Sequence, residues 1–418
     1  MLKRFCLTVC SLLTLFSVAA AQGIFYNARE MAFSGAYGAA AHGVDAVNWN
    51  PANLGLTLTS GVSIQLPGMG MRVLNSSFSL ADYNRYNGAI LDQEDKAELL
   101  NRIPEQGLQI FANMGTPVFG LSIARLAVSA RVRGVSDITL SRDIFDLMLN
   151  GNELGRTYDF STSSGGASVL ADLSVSYGQA FYVPYLNDFA VGLTVHWLQG
   201  FAAVEVVESR GSLTTGFEGI AGDGYIQLRS ANGGSGMSFD LGLSGILKNN
   251  LVISMALLNI AGQMRWDKEI QVLEYGIQSD SLTVEALINE DADSLISDIQ
   301  REYAGDPFQS VLPLQLNVGI AYPVANWLLS AQYIQIMQKG IGTNKVPYFA
   351  VGAEWRRLKF LPLRFGMGFG GVHKFSASLG FALRLGPLTS NFAFQTINQL
   401  LPNRGTGYGF AMDVSIGL

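Results

Sequence analysis

The sequence predicts an all-β chain that closes into a transmembrane antiparallel β-barrel in a bacterial outer membrane. Three observations lead there. The 418 residues are 49% hydrophobic and only 14% charged, with a mean hydropathy of +0.25; soluble proteins carry about 25% charged residues. Past the N-terminus, no apolar run reaches the roughly 18 residues that a spanning helix needs. The longest, Leu251 to Ile260, is short and contains Ser254 and Asn259. Apolar residues alternate instead with small or polar ones, and a barrel of such strands is the remaining way to satisfy a backbone in hydrocarbon.

The N-terminus sets the route. Lys3 and Arg4 precede an uncharged stretch from Phe5 to Ala20, and Ala19-Ala20-Ala21 is followed by Gln22. This is the layout of a cleavable secretory signal at residues 1–21, with cleavage after Ala21. Cys6 and Cys10 both lie inside it. The exported chain therefore has no disulfide and no thiolate metal site. A net charge of -6 and a pI near 5.2 argue against a nucleic-acid partner.

The last segment shows the alternation most clearly. Tyr408, Phe410, Met412, Val414, Ile416 and Leu418 point one way; Gly409, Ala411, Asp413, Ser415 and Gly417 point the other. The same period recurs at residues 375–385, 363–370, 312–322 and 189–197. The polar face carries His196, Asp240, Glu354, Arg364, Arg384 and Asp413, which a dry sandwich core would reject and a lumen accepts. On this register Phe381→Arg places a charge in lipid, whereas Ser378→Arg meets lumen water.

Connections alternate between short and long. Short ones fall near 385–388, 357–361, 322–327, 247–250 and 183–187; the longest are 261–310, 202–235 and 134–167. Short periplasmic turns and long extracellular loops have this asymmetry. Eleven strands follow Ser168, and residues 61–134 must supply the rest, giving 14 or 16 in all. Residues 92–102 read as a short polar helix between strands, residues 283–303 contain another inside the longest loop, and the barrel proper runs from 57 to 418.

Residues 22–56 do not alternate. Their Gly/Ala-rich middle suits a plug in the lumen, and Pro51 biases Asn50 away from helix. Ala28-Arg29, Gly35-Ala36-Tyr37, Asp45-Ala46 and Trp49-Asn50-Pro51-Ala52 resemble the N-terminal signature of outer-membrane proteins related to the fatty-acid transporter FadL, and most closely its PorV-type branch. Phe239-Asp240-Leu241-Gly242-Leu243 and Leu361-Pro362-Leu363-Arg364-Phe365-Gly366 carry the likeness further along the chain. The resemblance implies fourteen strands around an N-terminal hatch. It marks Arg29, Gly35, Tyr37, Asp45, Trp49, Asn50 and Pro51 as the plug motif. The chain departs from many such barrels in ending on Leu418 rather than an aromatic residue.

Enzymatic chemistry finds no foothold. His42, His196 and His373 are far apart and lack motifs. Gly366-Met367-Gly368-Phe369-Gly370 lies in a strand with no helix after it, which argues against a phosphate loop. Asp291, Asp293 and Asp298 lack the glycine of a calcium loop. No cofactor or metal is expected. The sequence leaves a channel for hydrophobic small molecules as the leading function and a scaffold for secretion-machinery proteins as the alternative. Outer-membrane lipid surrounds the barrel in both.

Overall fold

The structure, a computed structural model, describes residues 27–57, 61–217, 219–282 and 297–418. The expected signal at 1–21 lies outside the described residues.

Fourteen strands form the wall. They are β1 (Val62–Gln65 and Met69–Asn75), β2 (Leu108–Ile123), β3 (Leu126–Leu140), β4 (Ser164–Ala180), β5 (Leu186–Gly216), β6 (Gly234–Leu247) and β7 (Val252–Trp266). Then follow β8 (Phe308–Val311 and Gln315–Val324), β9 (Trp327–Ile336), β10 (Tyr348–Trp355), β11 (Leu363–Gly370), β12 (Lys374–Leu385), β13 (Leu388–Ile397) and β14 (Gly407–Gly417). Each pairs antiparallel with the next. β14 returns to β1, where Ser63 faces Gly417 and Met69 faces Met412. Closure leaves the wall no free edge, which is what makes strands tolerable in lipid. Of the two counts the sequence allowed, fourteen is the one observed. Residues 118–134 divide between β2 and β3, and residues 62–65 open β1.

The expected faces appear throughout. On β14, Tyr408 and Met412 are exposed outward while Ala411 and Asp413 are buried inward. Aromatic residues meet across strands on the outer face: Phe394 and Phe410 at 5.2 Å between centroids, Phe381 and Phe392 at 5.1 Å, and Tyr333 and Phe349 at 4.9 Å. Such pairs support register beyond the burial they share.

The long connections differ from expectation. β5 is 31 residues long and rises past its neighbours. Its upper end pairs with Thr157–Asp159 on one side and Gly219–Ala231 on the other. Gln271–Leu282 continues that sheet, and Ser297–Ala304 closes it, with Val272 opposite Tyr303. Residues 297–303, the end of the stretch expected to contain a helix, are strand; the rest of it, residues 283–296, lies outside the described region. A neighbouring strand supplies a ladder that local propensity does not register. Asp298 sits on this strand, not in a helix or an ion-binding loop.

Helices occupy the ends. α1 (Ala28–Ala32) and α2 (Ala46–Trp49) belong to the N-terminal segment. α3 (Leu80–Tyr86), α4 (Gln93–Arg102) and α5 (Arg142–Asn150) lie in the first two outer connections. α4 matches the expected helix, and Asp92 caps it by accepting from the Asp95 N–H at 2.8 Å.

Candidate functional site: the barrel interior

The N-terminal segment is held by a few polar residues. Asn27 caps α1, accepting from the Glu30 N–H at 3.0 Å. Ser34 (φ 48°) and Gly35 (φ 85°) turn the chain through left-handed conformations, a region open to glycine without strain. Asp45 is the hub. It accepts from Asn27 Nδ2 at 2.9 Å and from Tyr37 Oη at 2.8 Å, and it pairs with Arg29 Nη1 at 3.2 Å. Burial works against the charge on Arg29, but Asp45 and its neighbours outweigh burial and raise the guanidinium above its usual range. Burial first, and then Asp45, push the Tyr37 hydroxyl well up, so it stays a neutral donor. Trp49 meets Tyr37 edge-on at 6.3 Å.

Asn50 is the second hub. Its backbone is extended (φ -161°, ψ 105°), as the following proline requires, and Pro51 opens a short 3-10 turn to Gly55. Its side chain accepts from the Ala52 N–H at 2.9 Å and donates to Leu243 O at 2.8 Å and to Ser254 Oγ at 2.7 Å. The segment is thereby stitched to β6 and β7. The wall makes room for it. A Cβ on Gly242 would strike the Asn50 side chain, and one on Gly366 would strike the Phe33 backbone. Within the glycine run of β11, Gly366 is thus space for the segment, whereas Gly368 makes room for the Tyr348 hydroxyl.

Asp413, Gln332 and Tyr348 reach its backbone. The Ala28 N–H donates to Asp413 Oδ2 at 2.7 Å, and the Gly38 N–H donates to Gln332 Oε1 at 3.1 Å. Tyr348 Oη donates to Ser34 O at 2.7 Å. Arg364, Arg384 and Glu354, which the alternation places on the same inward face, do not bond this backbone and are engaged elsewhere. Arg364 donates to Glu354 Oε2 at 2.7 Å and to Asn391 Oδ1 at 2.9 Å. Arg384 stands 4.0 Å from Glu354 with 41% of its side chain exposed at the mouth on the short-turn side. A buried arginine next to a carboxylate satisfies itself there before it seeks a neutral carbonyl. Ser378 does point inward, but it meets Ser34 Oγ at 2.7 Å and Gln395 Nε2 at 3.0 Å, so no water awaits an arginine there.

Replacing Asp45 by Ala takes the acceptor from Tyr37 Oη and the paired carboxylate from the Arg29 charge. Breaking a buried pair from one side costs about 3–5 kcal/mol. We expect D45A to keep a heat-modifiable barrel but to let trypsin cut after Arg29, a bond protected in the native chain.

Deeper in the lumen, a polar belt crosses five adjacent strands. Arg131 Nη2 on β3 donates to Asp172 Oδ2 on β4 at 2.8 Å. His196 on β5 lies between Asp172 Oδ1 and Asp240 Oδ2 of β6, both at 2.9 Å. Asp240 Oδ1 accepts from the Asn259 N–H of β7 at 2.7 Å. His196 and Asp240 were legible as inward; Asp172 and Arg131 were missed, although the alternation of β4 gives Asp172 the same face. Asp413 stands apart from this belt, bonded to Ala28 and Asn391. Among the described residues, no three His, Cys, Asp or Glu converge as a metal site would require.

Beside the belt, on β4, β5, β7 and β8, lies an apolar cluster. Leu170, Leu198, Met264, Trp266, Phe308 and Leu312 are buried together. Trp266 stacks on Phe308 at 6.3 Å, and its Nε1 donates to Ser310 Oγ at 2.9 Å. The wall next to this cluster is irregular. β7 pairs with β8 up to Leu258–Gln315 and again from Gln263–Val311, and Pro313 in the gap has no N–H to give. The break also turns Leu312 inward, against the outward placing that simple alternation gives it.

The closed fourteen-stranded wall and the segment it encloses give the chain the fold of FadL-type outer-membrane barrels. The fold is similar to the Ralstonia pickettii toluene transporter TbuX at 16% identity and TM-score 0.52, covering 94% of this chain and 98% of that one. It is similar to a Pseudomonas aeruginosa FadL homologue at 11% identity and TM-score 0.55, covering 96% and 99%. It is similar to a TodX monoaromatic hydrocarbon channel mutant at 10% identity and TM-score 0.56, covering 94% and 98%. These structures lend no support to a PorV-type scaffold. The chain belongs to DUF5723, a family of unknown function, whose model matches residues 55–232 and 218–396. No curated protein matches it.

Proposed function

We propose that this protein is an outer-membrane channel for small hydrophobic molecules, exported by a signal at residues 1–21 and closed by a plug at residues 22–56. One observation carries the reading: an apolar cluster built around Trp266 faces the interior of a barrel whose other inward residues are mostly small or polar. Such a cluster gains nothing from facing water and gives a nonpolar solute somewhere to partition. Its place beside the β7–β8 gap offers that solute a sideways exit into hydrocarbon, which avoids the aqueous periplasm. The likeness in fold to toluene and hydrocarbon channels supports the same substrate class.

Uptake of a labelled aromatic hydrocarbon into proteoliposomes tests this. The native protein should give saturable uptake, and Trp266→Asp should reduce it about tenfold, since one charge among apolar contacts costs more than the 1.4 kcal/mol that corresponds to tenfold. Uptake no faster than in empty vesicles, both for the native chain and for one lacking the plug, would sink the proposal.

A further inference from the structure

At one place on β7 the chain leaves the ladder, and the side chain that ties down the loose stretch is itself tied to a buried histidine. Asn259 (φ 59°) and Ala261 (φ 52°) take left-handed conformations there. The register against β6 jumps twice, between Leu257 and Ile260 and between Ile260 and Gln263. The Asn259 N–H, which no neighbouring strand takes up, is bonded by Asp240 Oδ1 at 2.7 Å, and Asn259 Nδ2 donates to Pro313 O across the gap at 3.1 Å. Such bulges re-aim a strand and end its pairing locally.

The other oxygen of Asp240 faces His196 Nε2 at 2.9 Å, and His196 Nδ1 faces Asp172 Oδ1 at 2.9 Å. A ring nitrogen bonds a carboxylate oxygen only when it carries a hydrogen. With a carboxylate at each end, both nitrogens must be donors, and the ring is the imidazolium. Charge alternates along the row: Arg131, Asp172, His196, Asp240. The charged groups around the ring are Asp172 on β4, Asp240 on β6 and, behind Asp172, Arg131 with Arg133 two residues along β3. The N-terminal turn Pro51–Gly55 brings none.

We propose that His196 is a positioning residue that keeps the β7 break shut. As the imidazolium it fixes Asp240, and Asp240 fixes Asn259 beside the apolar cluster. Loss of one ring proton to solvent turns a lone pair toward a carboxylate, releases one end of the clamp and lets the break loosen. This rests on the channel reading only for what the break is used for.

Hydrogen–deuterium exchange of the full-length barrel in nanodiscs tests it without any transported molecule. After correction for intrinsic rates, exchange over residues 257–266 should rise about tenfold between about pH 6 and pH 9, while residues 376–382 of β12 stay unchanged. In H196Q, exchange over 257–266 should be fast and flat with pH. D240N, which keeps an acceptor for Asn259 but loses the charge, should also lose the pH dependence. In the native protein, nitrogen NMR should show the histidine signal absent from H196Q with both ring nitrogens protonated at neutral pH. A neutral ring, or β7 exchange alike in the native protein and H196Q, overturns the proposal. Failed uptake beside an intact exchange profile would instead count against the channel.

Discussion

Deleting residues 23–53 should convert a closed barrel into an open pore, with conductance in planar bilayers rising at least about tenfold above the native level. The argument rests on where the segment is held. Its hubs, Asp45 and Asn50, bond to the segment itself and to β6 and β7, and Asp413, Gln332 and Tyr348 reach it from β14, β9 and β10. Contacts on so many sides leave little room for water to pass. The wall does not need the segment to pair: every strand from β1 to β14 has its ladder partners in other strands. The groups uncovered by deletion, such as Asp413 and Ser378, would be hydrated in a water-filled lumen, so the burial penalty does not fall on the barrel. Heat-modifiability on gels checks that the deleted protein still closes. Conductance that stays low in a closed, deleted barrel would show that residues 261–310 or another outer connection occlude the lumen.

A charge on the outer face should damage assembly of the wall itself. Leu379 lies mid-strand on β12 with 55% exposure, facing the membrane. Leu379→Arg places a guanidinium near the bilayer centre at a cost of about 2–4 kcal/mol. We expect a lower denaturation midpoint in urea and poor assembly. Phe381→Arg should act in the same direction and also break the stack with Phe392. The inward neighbour Ser378 gives a sharper test. Ser378→Arg should disturb the native protein, because Ser34 fills the space, yet be tolerated once residues 23–53 are removed. Tolerance of Leu379→Arg would show that the faces are reversed. Equal harm from Ser378→Arg with and without the segment would show that the segment does not lie against β12.

Within the sequence, face is a local property. A residue points to lipid or lumen according to the parity of its own position, so Phe394, Leu379, His196, Asp240 and Glu354 could all be assigned by counting along one strand. The eleven strands after Ser168, the tight turns and the extended Asn50 before Pro51 were legible for the same reason. Partners are not local. His196 stands directly opposite Ser238 and Ser174, yet it bonds Asp240 and Asp172 on the diagonals, and only the stagger of a tilted, closed wall decides that. Arg364 chose Glu354 over the segment's backbone because the wall sets them opposite each other on β11 and β10. The strand at Ser297–Ala304 exists because Gln271–Leu282 offers it a ladder. The inward turn of Leu312 follows from a gap between β7 and β8 that no pattern in either strand announces. Composition and period thus determined the barrel, its faces and its size to within two strands. The arrangement of charges inside it, and the break between β7 and β8, came from pairings between residues far apart in the chain, whose energies no single stretch of sequence contains.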